Sequence, residues 1–167
     1  SPSRGLFRGL SALVPMRDDT ASRWIVKSPV ALHVGYQTVP GQYPGNLLGV
    51  IAYQRQAFYD AQRHAQIVER YKANPKGMPR TAHNAELEAL VPVVKGDIPV
   101  FIAAANENEM LRALALGKEF NIKVTLRGAV EAFRAIPALK TARPPVVTVA
   151  FPTPAQTTGR QHPVATR

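Results

Sequence analysis

The chain has 167 residues, 46% of them apolar, which suits one ordinary domain with its own core and is too apolar for a disordered chain. Its formal net charge is +10, and it has no cysteine, which excludes a disulfide framework, a thiol nucleophile and a cysteine-held zinc. No run approaches the roughly 18 to 20 uninterrupted apolar residues of a membrane helix, and no secretory signal pattern opens the chain; neither charge nor cysteine usage fixes a compartment.

Residues 1–22 are mixed, with a short apolar patch from Leu10 to Met16. In "RWIVKSPVALHVGYQ", the groups Trp24, Ile25, Val26 and Ala31, Leu32, Val34 predict one or two strands broken near Pro29. "VPGQYPGN" is a loop of turn residues. The longest periodic segment follows. Leu47, Val50, Ile51, Gln54, Phe58, Ala61, Ala65, Val68 and Lys72 recur in steps of three and four, the stripe of an amphipathic helix. Asn46 caps its start and Pro75 lies beyond its end. After the connector "PKGMPRTAHN", "AELEALVPVVKGD" predicts a short helix interrupted near Pro92 and stopped at Gly96.

Pro99 to Ala105 is a continuous apolar run, the pattern of a strand buried on both faces. Asn106 with Glu109 three residues on resembles a capping box. The helix they open is expected to bury Met110, Leu111, Leu114 and Phe120. "NIKVTL" is the next strand, "VEAFRAIPALK" a helix that Pro137 should kink or end, and "PPVVTVAF" a third strand. Strand, helix, strand, helix, strand in this order predicts right-handed crossovers and a parallel sheet. The fold class is therefore α/β, an open parallel sheet with flanking helices and part of a larger (β/α) barrel or doubly wound sheet. The chain divides into an irregular, strand-containing part over 1–42, the strand–helix alternation over 43–151 and a polar, Pro-rich tail over 152–167 expected to fray.

The segments "YPGNLLGVIAYQRQAFYDAQRH", "NAELEALVPVVKGDIPVFIAA" and "NENEMLRALALGKEFNIKVTLRGAVEAFRAI" resemble the middle of the imidazolonepropionase-like amidohydrolases, within the metal-dependent hydrolase superfamily. The resemblance covers Tyr43 to Phe151, about two thirds of the chain, and "SPVALHVGY" fits it weakly. It implies part of a (β/α)8 barrel with its site at the carboxyl ends of the strands. It also implies one or two divalent metals, held by a His-x-His pair, further histidines and an aspartate, which lower the pKa of bound water toward about 7. The chain departs from that pattern. It has no His-x-His; Ala103 and Ala105 stand where the matching strand of the family often carries histidines, and Gly128 stands where the next strand often carries another. Alanine and glycine cannot ligate zinc. On the resemblance, this is a branch that lost those ligands, and neither a metal nor another cofactor is expected.

His33, His64, His83 and His162 are the chain's imidazoles, and no two have metal-site spacing. His33 is best read as a core or interface histidine, His64 as a mid-helix residue, and His83 and His162 as solvated. No catalytic residue is assigned. The substrate-binding candidates are Arg127, Asn106 and Glu107, which follow strand ends. Arg127 suits a clamp on a carboxylate or phosphate. Asn106 and Glu107 have a simpler explanation as cap and first-turn acid, as does Glu109. Gly128 permits a close backbone approach or a tight turn. Gly45 and Gly49 lack the Gly-Lys-Ser/Thr ending of a P-loop. Among Tyr53, Phe58, Tyr59 and Tyr71, helical spacing puts Phe58 in the core rather than in a stacking platform.

The chain alone is thus expected not to hydrolyse amides, and to act as a fragment or degenerate member with a scaffold or binding role. The rival is part of a working hydrolase of cyclic amide or peptide C–N bonds whose metal ligands lie outside this chain. The chain begins with Ser1 rather than Met, which leaves room for a leader or domain upstream. The expected partners are a second copy or a companion amidohydrolase-like chain, to cover an unpaired strand edge. No membrane and no specific nucleic acid is expected. The basic residues are dispersed, with Arg55, Arg63, Arg70 and Lys72 on one helix, and no zinc-finger spacing or RNA-binding aromatic signature accompanies them. A nucleic-acid module would instead need a contiguous positive face.

Overall fold

A computed structural model describes residues 5–15 and 25–147. In chain order its elements are β1 (Phe7–Leu13), β2 (Lys27–Gly35), α1 (Leu47–Ala73), α2 (Ala85–Val94), β3 (Val100–Ala104), α3 (Glu107–Phe120), β4 (Val124–Gly128), α4 (Ile136–Ala142) and β5 (Val146–Val147). The strands form one five-stranded sheet in the order of the chain. β2, β3, β4 and β5 run parallel, and β1 adds to β2 antiparallel. The expected α/β class and open sheet are what the described residues form.

Strand β1 lies within the mixed segment 1–22, where no clear alternation announces it. Its apolar alternation is interrupted at Gly9, where φ is +89° and the β1–β2 register shifts between Phe7 and Leu10. A glycine in this conformation is how a bulge fits an extra residue into an antiparallel pair. The expected break at Pro29 does not occur, for β2 runs through it. Pairing of β2 with β3 begins only at Leu32, so the missing N–H of Pro29 falls beyond that ladder. Ile25 and Val26 are exposed and precede the strand. Trp24 lies outside the described residues.

Helix α1 buries Val50, Gln54, Phe58, Ala61 and Ala65 of the predicted stripe together with His64, which lies outside it, while Ile51 and Val68 are half-buried and Leu47 and Lys72, at its two ends, are exposed. The Asn46 side chain accepts from the Gly49 N–H at 2.8 Å. Phe58 is fully buried between Phe7 of β1 and Phe120 of α3, with ring centroids 5.9 and 5.4 Å away. Tyr59 packs edge-on to Phe120 instead of joining a platform. Helix α2 is not interrupted at Pro92. A proline removes the bond to the carbonyl four residues earlier, here that of Glu88, which is exposed and can turn to water.

Helix α3 buries Met110, Ala113, Leu116 and Phe120. Leu111 is exposed, contrary to expectation, because it lies one position round the helix from Met110, which takes the place against the sheet. The segment after β4 also differs. Residues 130–134 form turns, and α4 starts at Ile136 with Pro137 in its first turn. A proline there gives up an N–H that has no intrahelical partner and has φ already set for a helix, so it starts α4 rather than kinking a longer one. Of the third expected strand, Val146 and Val147 form β5; from 148 onward, including the 152–167 tail, it lies outside the described residues.

Burial along β3 alternates, so the strand is not covered on both faces. Val100, Ile102 and Ala104 point into the core, with Leu32 and Val34 of β2 and Val124 and Leu126 of β4. Phe101 and Ala103 point to the opposite, half-open face.

Candidate functional site

The half-open face is built from the alternate residues of neighbouring strands. Pairing aligns His33 with Phe101 and Thr125 in one row, and Gly35 with Ala103 and Arg127 in the next row toward the carboxyl ends. The His33 ring stands edge-on to Phe101 at 5.3 Å between centroids. Thr125 is buried beside them.

Arg8 reaches this face from β1. Its guanidinium lies over Gly35, where a Cβ would sit 2.4 Å from Nη2. A side chain at 35 would therefore displace the guanidinium from this place. Gly35 is held from the other side, where buried Gln54 of α1 donates to its carbonyl at 2.8 Å. Arg8 is 7% exposed. It donates from Nε to the Gly5 carbonyl at 3.3 Å and from Nη2 to Gln37 Oε1 at 3.2 Å. Among the described residues, no carboxylate pairs with it.

Burial, then the charge of Arg127, lowers the pKa of Arg8 from the usual arginine range. It stays charged at any physiological pH. His33 is pushed below its ordinary value, first by desolvation, then by Arg127, with Arg8 adding to the same effect. Three cation-forming side chains thus share one field at the strand ends, where Arg127 disfavours charge on both Arg8 and His33.

The sequence candidates fall into two groups. Arg127 belongs with Arg8 and His33 on the open face. Asn106 and Glu107 open α3, and among the described residues neither hydrogen bond nor ion pair joins them to Arg127. Asn106 Oδ1 accepts from the Glu109 N–H at 2.9 Å, and Glu109 Oε2 accepts from the Ala105 N–H at 2.7 Å. This is the expected capping exchange, closed one residue earlier than the usual box. Gly128 has φ +97°, and the following turn docks on β3, with Ala129 and Glu131 N–H groups donating to the carbonyls of Ala104 and Ala105. Glycine serves a tight turn there.

His64 is buried in α1 with Nε2 unpartnered among the described residues, and His83 pairs with Glu88 at 2.8 Å on the surface. His162 lies outside the described residues. Sequence reasoning missed Arg8. The signal for it was a charged residue within the β-alternation of Phe7, Arg8 and Leu10, hidden by Gly9.

The resemblance drawn from sequence implies a divalent metal at these strand ends, so the residues present must be tested for it. Ala103, Ala105 and Gly128 offer no donor. Among the described residues, no group of three or more histidine, aspartate or glutamate side chains could hold a metal. The imidazole of His33 is accompanied by two guanidiniums, which repel a cation. The described residues at these strand ends do not fit a metal.

No protein-family model matches the chain, and no curated protein matches it. Among solved structures, it is similar to the crystal structure of an amidohydrolase from Thermotoga maritima MSB8, with a TM-score of 0.78 and 20% identity. The match covers 89% of this chain and 40% of that one. The chain therefore has the fold of part of an amidohydrolase, an open sheet with its helices on one side, and spans less than half the length of that protein.

Proposed function

We propose that this chain is a segment of a degenerate amidohydrolase-like barrel, of the imidazolonepropionase-like branch, that binds a small ligand on its open sheet face and does not by itself hydrolyse one. One observation carries the proposal. At the carboxyl ends of β3 and β4, where this fold class places its chemistry, the chain has alanine and glycine flanked by Arg8 and Arg127. A metal site needs donors that gather around a cation, and this surface is arranged the other way. The role of Asn106 and Glu107 is to start α3, and ligand contacts fall to Arg127.

The test is elemental analysis of the purified chain after exposure to zinc and manganese and extensive dialysis, run beside hydrolysis assays on cyclic amides and dipeptides. No stoichiometric metal and no turnover are expected. About one metal per chain, lost in His33→Ala, would overturn the proposal.

A second possibility has one observation in its favour, the 40% share of the Thermotoga protein that this chain covers. The remaining length has room for a ligand set that completes a working hydrolase of cyclic amide or peptide C–N bonds. A His-x-His pair in the reading frame upstream of Ser1 would favour it. In either case the open face calls for cover, by a second copy or by a companion amidohydrolase-like chain. Light scattering of the purified chain tests this, and a stable monomer with no dye-binding apolar patch would exclude it.

A further inference from the structure

We infer that the floor made by Gly35 and Ala103, between Arg8 and Arg127, is a binding site for the oxyanion group of a small ligand, a carboxylate or a phosphate. This rests on the open face being the binding surface, and it names the chemistry of what binds there.

Four observations converge. Arg8 is buried at 7% exposure with neutral partners only, Gly5 and Gln37, among the described residues. A buried cation without a counter-charge is costly to keep, and an anion supplied from solution removes that cost. Second, Arg127 shares its field, so the cost of the Arg8 charge rises further. Third, the strand pairing sets Gly35, Ala103 and Arg127 side by side on adjacent strands. Two inter-strand steps put the backbone beneath Arg8 about 10 Å from that of Arg127. Between them the only side chain in the row is the methyl of Ala103. A larger residue there would fill the lane between the guanidiniums. Fourth, Gly35 leaves room for the Arg8 guanidinium, since a Cβ there would meet its Nη2, Cζ and Nε at 2.4, 2.7 and 2.9 Å. Small residues thus make room, and two guanidiniums supply planar, multi-donor recognition suited to oxyanions. Gln37 steadies Arg8, and His33 in the row below can add a proton donor once an anion favours its charged form.

Two substitutions separate this site from the general attraction of a protein with net charge +10. Arg127→Gln removes one guanidinium from a half-buried position, and Ala103→Leu fills the floor without altering charge. Lys118→Gln, on the exposed side of α3, removes one charge elsewhere and serves as the control. Inorganic phosphate and glutarate are titrated separately into the purified chain by calorimetry, at constant ionic strength in chloride. Saturable binding of at least one is expected, weakened about tenfold or more in Arg127→Gln, as for loss of a charge-assisted hydrogen bond. It should be weakened similarly in Ala103→Leu and unchanged in Lys118→Gln. Phosphate alone would assign a phosphorylated ligand, and glutarate alone a carboxylate. No saturation by either probe, or equal weakening in the control, overturns the site. The metal measurement fails separately: a metal-bearing chain that ignores both anions refutes both proposals, and a metal-free chain that ignores them refutes this one alone.

Discussion

The two faces of the sheet are made by the same strands and differ at every alternate residue. Leu32, Val34, Val100, Ile102, Ala104, Val124 and Leu126 form one face, all buried under the helices. His33, Gly35, Phe101, Ala103, Thr125 and Arg127 form the other, a mixture of small, aromatic, polar and cationic groups. The period of two lets one strand hold the fold together with its even-numbered residues and present chemistry with its odd-numbered ones. Stability and binding should therefore respond to different substitutions, even at neighbouring positions.

The largest effect belongs to the covered face. Phe58 is fully buried where β1, α1 and α3 meet. Phe58→Ala should cost about 3 to 5 kcal/mol, by lost transfer energy and the cavity left behind. Urea unfolding measures it. Phe101→Ala removes the same ring from the open face and should cost less than half as much. Equal costs would mean that the open face is packed as a core and would end the comparison.

A smaller effect is expected from Ala104→Leu. Ala104 is 1% exposed, and its carbonyl receives the Ala129 N–H at 2.8 Å. Extra methylenes in so close a place should cost about 1 to 3 kcal/mol. Asn106→Ala should cost about 1 kcal/mol through loss of the helix cap and leave anion binding unchanged. A loss of binding without a loss of stability would return Asn106 to the list of ligand contacts.

The covered face was legible in the sequence because its signals are local. The steps of three and four through Phe58, the caps at Asn46 and Asn106, and the apolar run from Val100 each lie within one element. The open face was not legible. Arg8, His33 and Arg127 are far apart in the chain and meet only through strand register. Arg127 drew notice because it follows a strand, whereas Arg8 sat in a segment whose bulge at Gly9 hid the strand. Pro29, Pro92 and Pro137 misled for a common reason. A proline disrupts only where the bond it removes leaves a buried group unpaired: Pro29 and Pro137 fall where no N–H was needed, and the carbonyl that Pro92 leaves free, that of Glu88, is exposed to water.

His33 gives a pH test with a definite sign. Its pKa is lowered from 6.5 in the folded chain by burial, by Arg127 from β4 and by Arg8 from β1, while Phe101 of β3 faces it without charge. The unfolded chain then takes up the proton first as pH falls. The stabilisation is fully present above the unfolded value of about 6.5 and is lost as pH drops toward the folded value. His33→Gln should therefore flatten the fall in Tm between pH 7.5 and 5 relative to the parent chain, at low phosphate. A bound oxyanion offsets the two arginines, so phosphate should narrow the difference between the two proteins. An unchanged pH slope in the variant would show that His33 does not feel the pair.

The smallest change in stability should come from Ala103→Leu. Ala103 lies next to Ala104 in the chain, yet its methyl points to the open face, beside Gly35 and Arg127. A leucine there extends into the half-open space between the Arg8 guanidinium over Gly35 and the Arg127 side chain, not into the packed core. Its gain in contact with Phe101 and the arginine stems offsets its greater side-chain entropy. The net change should stay within about 0.5 kcal/mol, the range of surface substitutions. The same residue occupies the space above the floor that an oxyanion would need. Unfolding curves should therefore nearly coincide with those of the parent chain while anion titrations lose their saturation. Set against Ala104→Leu, one position away and costly, this pair isolates which way a side chain points as the variable. A destabilisation as large as that of Ala104→Leu would show that the open face is closed over by packed residues, and the floor between the two arginines would then be core rather than site.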